Sequence, residues 1–255
     1  MHDTAAILAA LSLTKPLLAA MKKITLLLAL ALTSVAAFAQ EIDKIGARAS
    51  SDYAGGSGGH DSRNTGFGIK GGLNFADIYG DNKKNYTDGS NYKSFHAGIY
   101  GQYGFSDKFS IQPELLYTRQ GFKGGSTYTN GTTTTTVNER RLDYVQAPVL
   151  LVYNILDNVS IHAGPQFSLL TKVVEDGKER KIANEGNTYG YSYSSIDYGV
   201  SAGAEARVGP ARVGARYTAG FADVINNQIA VAGNKAIEDV KNSVFQVYIG
   251  VGFAR

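Results

Sequence analysis

Few side chains in this chain are candidates for chemistry. His2 lies near the N-terminus, in a segment set apart below, which leaves His60, His96 and His162. His60 follows the run Gly55-Gly56-Ser57-Gly58-Gly59, a flexible linker composition in which a side chain is solvated. His96 and His162 begin two segments of alternating polarity, at what the connections between segments make opposite ends of one fold. Histidines so placed cannot share a metal ion or a catalytic triad. No H-E-x-x-H, G-x-S-x-G or P-loop motif occurs. With no cysteine there is no thiolate ligand, thiol nucleophile or disulfide framework. A net charge of +3 gives no reason to expect nucleic-acid binding. We therefore expect no catalytic residue, no metal and no cofactor. The other constellation is ionic: Lys70, Glu114, Arg141, Asp143, Glu205, Arg207, Arg212 and Arg216 fall on the polar side of their segments. If that side is an interior, these charges must be paired, with Glu205 opposite Arg212 or Arg216. The expected role is structural, an interior network that fills the space. A narrow ion path is the functional alternative.

The segments that position these residues have a period of two from Thr65 onward. In the first, Phe67, Ile69, Leu73 and Phe75 oppose Lys70, Gly72 and Asn74. Seven more follow, around residues 94–105, 109–122, 141–153, 159–170, 195–208, 211–221 and 243–253. Only the fourth is less clean. It is apolar on both sides near Val149 and Leu150, and Pro148 suggests a bulge there. Eight segments of this length suit strands that cross a bilayer at a tilt, which needs about 9–11 residues each. Their connections alternate in length. Ser106-Asp107-Lys108, Asn154 to Asn158 and Gly209-Pro210 are tight turns. Asp77 to Lys93, Gly124 to Glu139, Lys172 to Ser194 and Ala222 to Asn242 are long polar loops, with Glu175 exposed in the third. In an antiparallel ring, all short turns then fall at one end, as in outer-membrane barrels. The run Thr132 to Thr136 reads as a β-prone patch at a loop tip that could meet partners.

Alternation alone also fits a soluble barrel with an apolar ligand cavity. Aromatics near the segment ends favour the membrane: Phe67, Phe75, Phe105, Phe109, Tyr117, Phe221 and Phe253 read as interfacial girdles. So does an export signal. Lys22 and Lys23, the apolar run Ile24 to Leu32 and Ala37-Phe38-Ala39 occur in the order of a signal peptide. The expected organisation is an upstream extension over 1–20, a signal peptide over 21–39, a periplasmic lead-in over 40–64 and a barrel over 65–255. The expected fold is all-β, an eight-stranded antiparallel up-and-down transmembrane β-barrel in the outer membrane of a Gram-negative bacterium.

The stretches GFGIKGGLNFADI, FHAGIYGQYGFSDKFSIQPELLYTRQGFK and LDYVQAPVLLVY, with the closing FQVYIGVGF, resemble the PorT-like outer-membrane β-barrel family, broadly called porin-family proteins. The resemblance runs from about Thr65 to Arg255, and the architecture is similar to the OmpA and OmpX barrels. It implies a structural, surface-interaction or secretion-accessory role without catalysis. Outer-membrane lipid is the implied surrounding, with envelope or secretion proteins as partners through the long loops. A small porin-like channel, a barrel enzyme acting on lipid or peptide and a soluble ligand-binding barrel are the alternatives.

Overall fold

The computed structural model describes residues 65–106, 108–130, 133–182, 191–227 and 239–253. The expected extension, signal peptide and lead-in lie outside the described residues. Eight long strands form a closed ring: β1 (Gly66–Tyr79), β2 (Tyr92–Gly104), β3 (Phe109–Asn130), β4 (Thr133–Leu156), β5 (Val159–Glu175), β8 (Ile196–Val208), β9 (Ala211–Asp223) and β11 (Lys241–Phe253). Each pairs antiparallel with its neighbour in the chain order of the eight. β11 pairs with β1, from Phe67↔Phe253 to Tyr79↔Lys241, so no edge is left open. Three short strands, β6 (Lys178–Arg180), β7 (Tyr191–Tyr193) and β10 (Ile225–Asn227), lie in the connections. β6 folds back on β5 across Asp176-Gly177. Both of these residues have positive φ, as a type I′ hairpin turn requires.

The register fixes the shape. Paired residues lead from Tyr103 through Ile111, Leu151, Ala163, Ala202, Tyr217, Phe245 and Phe75 back to β2 at Lys93. One circuit is thus displaced by ten residues, from 103 to 93. With rises of ~3.3 Å along a strand and ~4.8 Å between strands, eight strands with this shear tilt by about 40°. Register is kept through Pro148, which pairs with Gln166. The expected bulge is not there. The shifts on β4 fall at Asp143/Tyr144 and Asn154/Leu156 instead.

Within the bilayer zone the outward side chains are apolar and the inward ones polar. Ile69, Leu73, Ile99, Leu151, Val213 and Ile249 are exposed, whereas Lys70, Asn74, Gln112, Glu114, Gln146, Gln166 and Gln246 are buried. A barrel that folded in water would bury the first set. Aromatic contacts ring the outer face at two levels. Phe67–Phe253, Phe105–Phe109 and Phe109–Tyr153 pack at the end with the short turns. Phe75–Phe245, Phe95–Tyr117 and Tyr198–Phe221 pack towards the other end. Phe67 and Phe75 lie eight residues apart on β1, so the levels are separated by roughly 20 Å, close to the apolar band of an outer-membrane barrel.

Beyond the second aromatic level the pattern inverts. On β3, Tyr117 points out and Thr118 in; further along, Lys123 points out and Phe122 is fully buried. On β4, Val145 and Gln146 give way to outward Arg141 and buried Leu142. On β1, Phe75 and Asn74 give way to Asp77 and Ile78. Here the strands leave the lipid and stand in water, so they bury apolar residues inside as a soluble barrel does. The buried cluster of Ile78, Tyr86, Phe122, Leu142, Tyr144, Leu170, Val173, Tyr193, Val224, Ile225 and Val240 fills this end. Short turns mark the periplasmic end and long connections the extracellular one, so the apolar cluster is an extracellular plug. The connection expected as a loop over Gly124 to Glu139 is mostly strand: β3 and β4 run on as a hairpin, with Thr127↔Thr136 and Asn130↔Thr133 paired. Thr132 lies outside the described residues. Thr133 to Thr136 belong to β4 and not to a loop.

Candidate functional site: the barrel interior

The polar interior is a connected network. Glu114 on β3 is its hub. Its carboxylate accepts from Lys70 Nζ of β1 at 2.7 Å, Arg216 Nη1 of β9 at 2.8 Å and Gln112 Nε2 at 2.8 Å. Arg216 also donates through Nε to Gln246 Oε1 at 3.0 Å. Gln246 donates to Asn74, and Asn74 meets His96 Nδ1 at 2.7 Å and donates to Thr118 at 2.9 Å. Nearer the periplasm, Glu205 on β8 takes Arg212 Nη1 at 2.9 Å, the Tyr248 hydroxyl at 3.2 Å and the Arg207 guanidinium at 3.7 Å. Arg212 donates to Gln102 as well, and Arg207 to Asn154. The side chains of Lys70, Glu114 and Arg216 are 1%, 0% and 0% exposed, so no water layer separates the ions.

Two tyrosines fill the space between these ions. Lys70 Nζ lies 5.0 Å from the Tyr100 ring centre and 4.4 Å from that of Tyr248, and the Arg212 guanidinium lies 4.7 Å from Tyr100. Glycine makes the room. A Cβ on Gly214 would sit 2.5 Å from the Tyr248 ring, and one on Gly68 would sit 2.5 Å from the Tyr100 hydroxyl. The interior is therefore packed with side chains, as expected for a ring of only eight strands.

Of the eight charged residues expected inside, Lys70, Glu114, Glu205, Arg207, Arg212 and Arg216 meet in this network. Glu205 pairs with Arg212, and Arg216 goes to Glu114 instead. Arg141 and Asp143 do not join. Both lie on the outer face, in line with Val145, where Asp143 binds Arg141 at 3.3 Å and Arg119 at 3.0 Å. The inward cation of that strand is its neighbour Arg140, buried against the Phe122 and Tyr86 rings. The polarity inversion explains the difference, because at this height the outer face is the polar one. Glu175 also differs from expectation, because β5 runs on through it and pairs it with Arg140 of β4 in place of an open loop. It is nearly buried, bound by Arg180 at 2.7 Å and the Tyr193 hydroxyl at 2.6 Å.

His96 on β2 and His162 on β5 each have Arg216 among their surroundings. His96 reaches Arg216 through Asn74 and Gln246, while His162 Nε2 lies against Gly203, beside the Arg216 backbone. No group of three metal-ligating side chains occurs among the described residues. The interior residues that reading of the sequence did not single out are Tyr100 and Tyr248, and above them the apolar plug. Tyr248 was within reach, since it shares its parity with the inward Gln246 and Gly250.

Among solved structures, the chain is similar to Neisserial surface protein A, at 18% identity over 73% of this chain and 97% of that one, with a TM-score of 0.47. It is also similar to Ail, the attachment invasion locus protein of Yersinia pestis, at 14% identity over 74% and 99%, with a TM-score of 0.42. A third is OprG from Pseudomonas aeruginosa, at 15% identity over 75% and 98%, with a TM-score of 0.39. No curated protein matches the sequence. The family model described as outer membrane protein beta-barrel domain matches residues 38–226, most of the chain, and the protein belongs to that family of the outer membrane.

Proposed function

We propose that this outer-membrane protein is a sealed barrel that anchors a surface-exposed β-structure, with a structural, surface-interaction or secretion-accessory role and no catalysis. The observation that carries the reading is the filled interior. Glu114, Lys70 and Arg216 interlock with Tyr100 and Tyr248 at mid-height, and the Phe122–Leu142–Tyr144 cluster closes the extracellular end. The ionic network serves to hold the strands in register and exclude water. The β3–β4 hairpin, the longest paired element beyond the membrane among the described residues, is the part that envelope or secretion proteins would meet. The PorT-like relationship carried by the sequence stretches quoted above agrees with this role. So does export by the segment 21–39 and a periplasmic lead-in over 40–64, with 1–20 as an upstream extension.

The test is permeability. Liposomes carrying the refolded protein should not swell in isotonic arabinose, and planar bilayers should show no steady channel. Stable conductance steps or swelling by the sugar would replace this reading with that of a small porin-like channel.

A further inference from the structure

We infer that the outer face of β2–β4, just above the extracellular aromatic level, is a binding site for the phosphate groups of outer-leaflet lipid, the phosphorylated glycolipid lipopolysaccharide. Two residues above the Phe95–Tyr117 pair stand Lys93 on β2 and Arg119 on β3. Arg141 follows on β4. All three point outward. Gly121, paired with Arg141, adds no side chain of its own between them, and the Tyr92 ring lies against it. Among the described residues, Asp143 is the one carboxylate at their centre, and it holds both guanidinium groups, at 3.0 Å and 3.3 Å. Arg119 is fixed further by the Phe95 ring, 5.0 Å from its guanidinium carbon. Lys93 is exposed, and among the described residues no carboxylate pairs with it. Three cations against one anion leave a surplus of two positive charges. The neighbouring Lys123 and Glu139 cancel each other at 3.7 Å.

The position of this surplus selects the ligand. It lies at the height where the apolar band ends, so its partner is a headgroup at the membrane surface. It occurs on the extracellular side, whereas aromatic and aliphatic side chains, such as Phe67, Phe105, Tyr153, Ile155 and Phe253, make up the outer face at the periplasmic boundary. It is also confined to one side of the barrel. On β9, β11 and β1 the same level carries Asp223, Lys241 and Asp77, and there the cations are already paired: Lys241 with Asp223 and Asp239, and Lys83 with Asp77. Pre-oriented guanidinium groups suit phosphate oxygens, and a basic cluster at a membrane surface attracts anionic lipid.

The full barrel, refolded in neutral detergent, is titrated with diphosphoryl lipid A, and bound lipid is counted by native mass spectrometry. The triple variant Lys93→Gln, Arg119→Gln, Arg141→Gln should bind at least about tenfold more weakly than the wild type, since each basic side chain near a charged surface contributes appreciably. Dephosphorylated lipid A and phosphatidylglycerol should bind the wild type as weakly as lipid A binds the variant. Lys108→Gln, at a periplasmic turn, should leave binding unchanged. Equal affinity of wild type and triple variant, or of phosphorylated and dephosphorylated lipid A, would overturn the proposal. So would displacement of lipid A by millimolar inorganic phosphate, which would mark a site for the free ion. If the triple variant does not fold, Lys93→Gln alone decides. This exposed side chain holds no ion pair among the described residues, and its loss should weaken binding by roughly three- to fivefold; unchanged affinity would overturn the proposal.

Discussion

At the scale of single residues, the barrel depends most on Glu114. Its carboxylate is the shared partner of Lys70 and Arg216, which are both buried. Glu114→Gln leaves two cations without their anion inside a packed interior. We expect a loss of about 3–5 kcal/mol, the range for breaking a buried pair. It would be seen as a lower temperature of conversion from the folded to the unfolded band on unboiled gels. Glu179→Gln is the matching surface change. Its carboxylate is 67% exposed and, among the described residues, pairs with Lys172 alone, so the effect should stay below about 1 kcal/mol. Equal tolerance at the two positions would show that Glu114 does not sit in a dry interior. Glycine gives a second prediction at this scale. Gly214→Ala places a methyl group against the Tyr248 ring and the Ala204 carbonyl, so the ring must leave both Glu205 and Lys70. Overpacking of this kind costs about 1–3 kcal/mol, read in the same gel assay. A variant as heat-resistant as the wild type would contradict the close packing of Tyr248.

At the scale of elements, the eight crossing strands were legible because lipid outside and polar packing inside impose opposite polarity on alternate residues. Phe67, Ile69, Leu73 and Phe75 against Lys70 and Asn74 is enough to orient β1. The same rule misplaced Arg141 and Asp143, because it holds only within the lipid. Above the aromatic level water replaces lipid, and the sign of the alternation changes along one continuous strand. Nothing local in RRLDYVQ marks the crossing point; it becomes visible only when Tyr117, Phe95 and Val145 are seen at one height. The β3–β4 hairpin was hidden for a related reason. Its residues are polar and Thr-rich, which reads as loop, yet the backbone stays paired to Asn130↔Thr133. The absence of cysteine in the chain makes its placement testable. Thr133→Cys should react with a membrane-impermeant maleimide on intact cells. Ser106→Cys, in the turn between β2 and β3, should react only after the outer membrane is permeabilised. The reverse pattern would invert the barrel in the membrane.

At the scale of the whole molecule, the sequence could state that charges lie inside but not how they interlock, because a ring displaced by ten residues brings together strands far apart in the chain. Lys70, Glu114 and Arg216 come from β1, β3 and β9. The account makes one central claim: the outer face of this barrel meets lipid, and its interior admits no water path. Thiol accessibility in reconstituted vesicles tests both halves at once. Ser201 is inward and 1% exposed, and cysteine is nearly its isostere; Ile249 is outward and 71% exposed. Ser201→Cys should resist a small charged thiol reagent until the barrel is unfolded. Ile249→Cys should resist the same reagent while reacting with an apolar one dissolved in the bilayer. Rapid modification of folded Ser201→Cys by the charged reagent, or of Ile249→Cys, would contradict the claim.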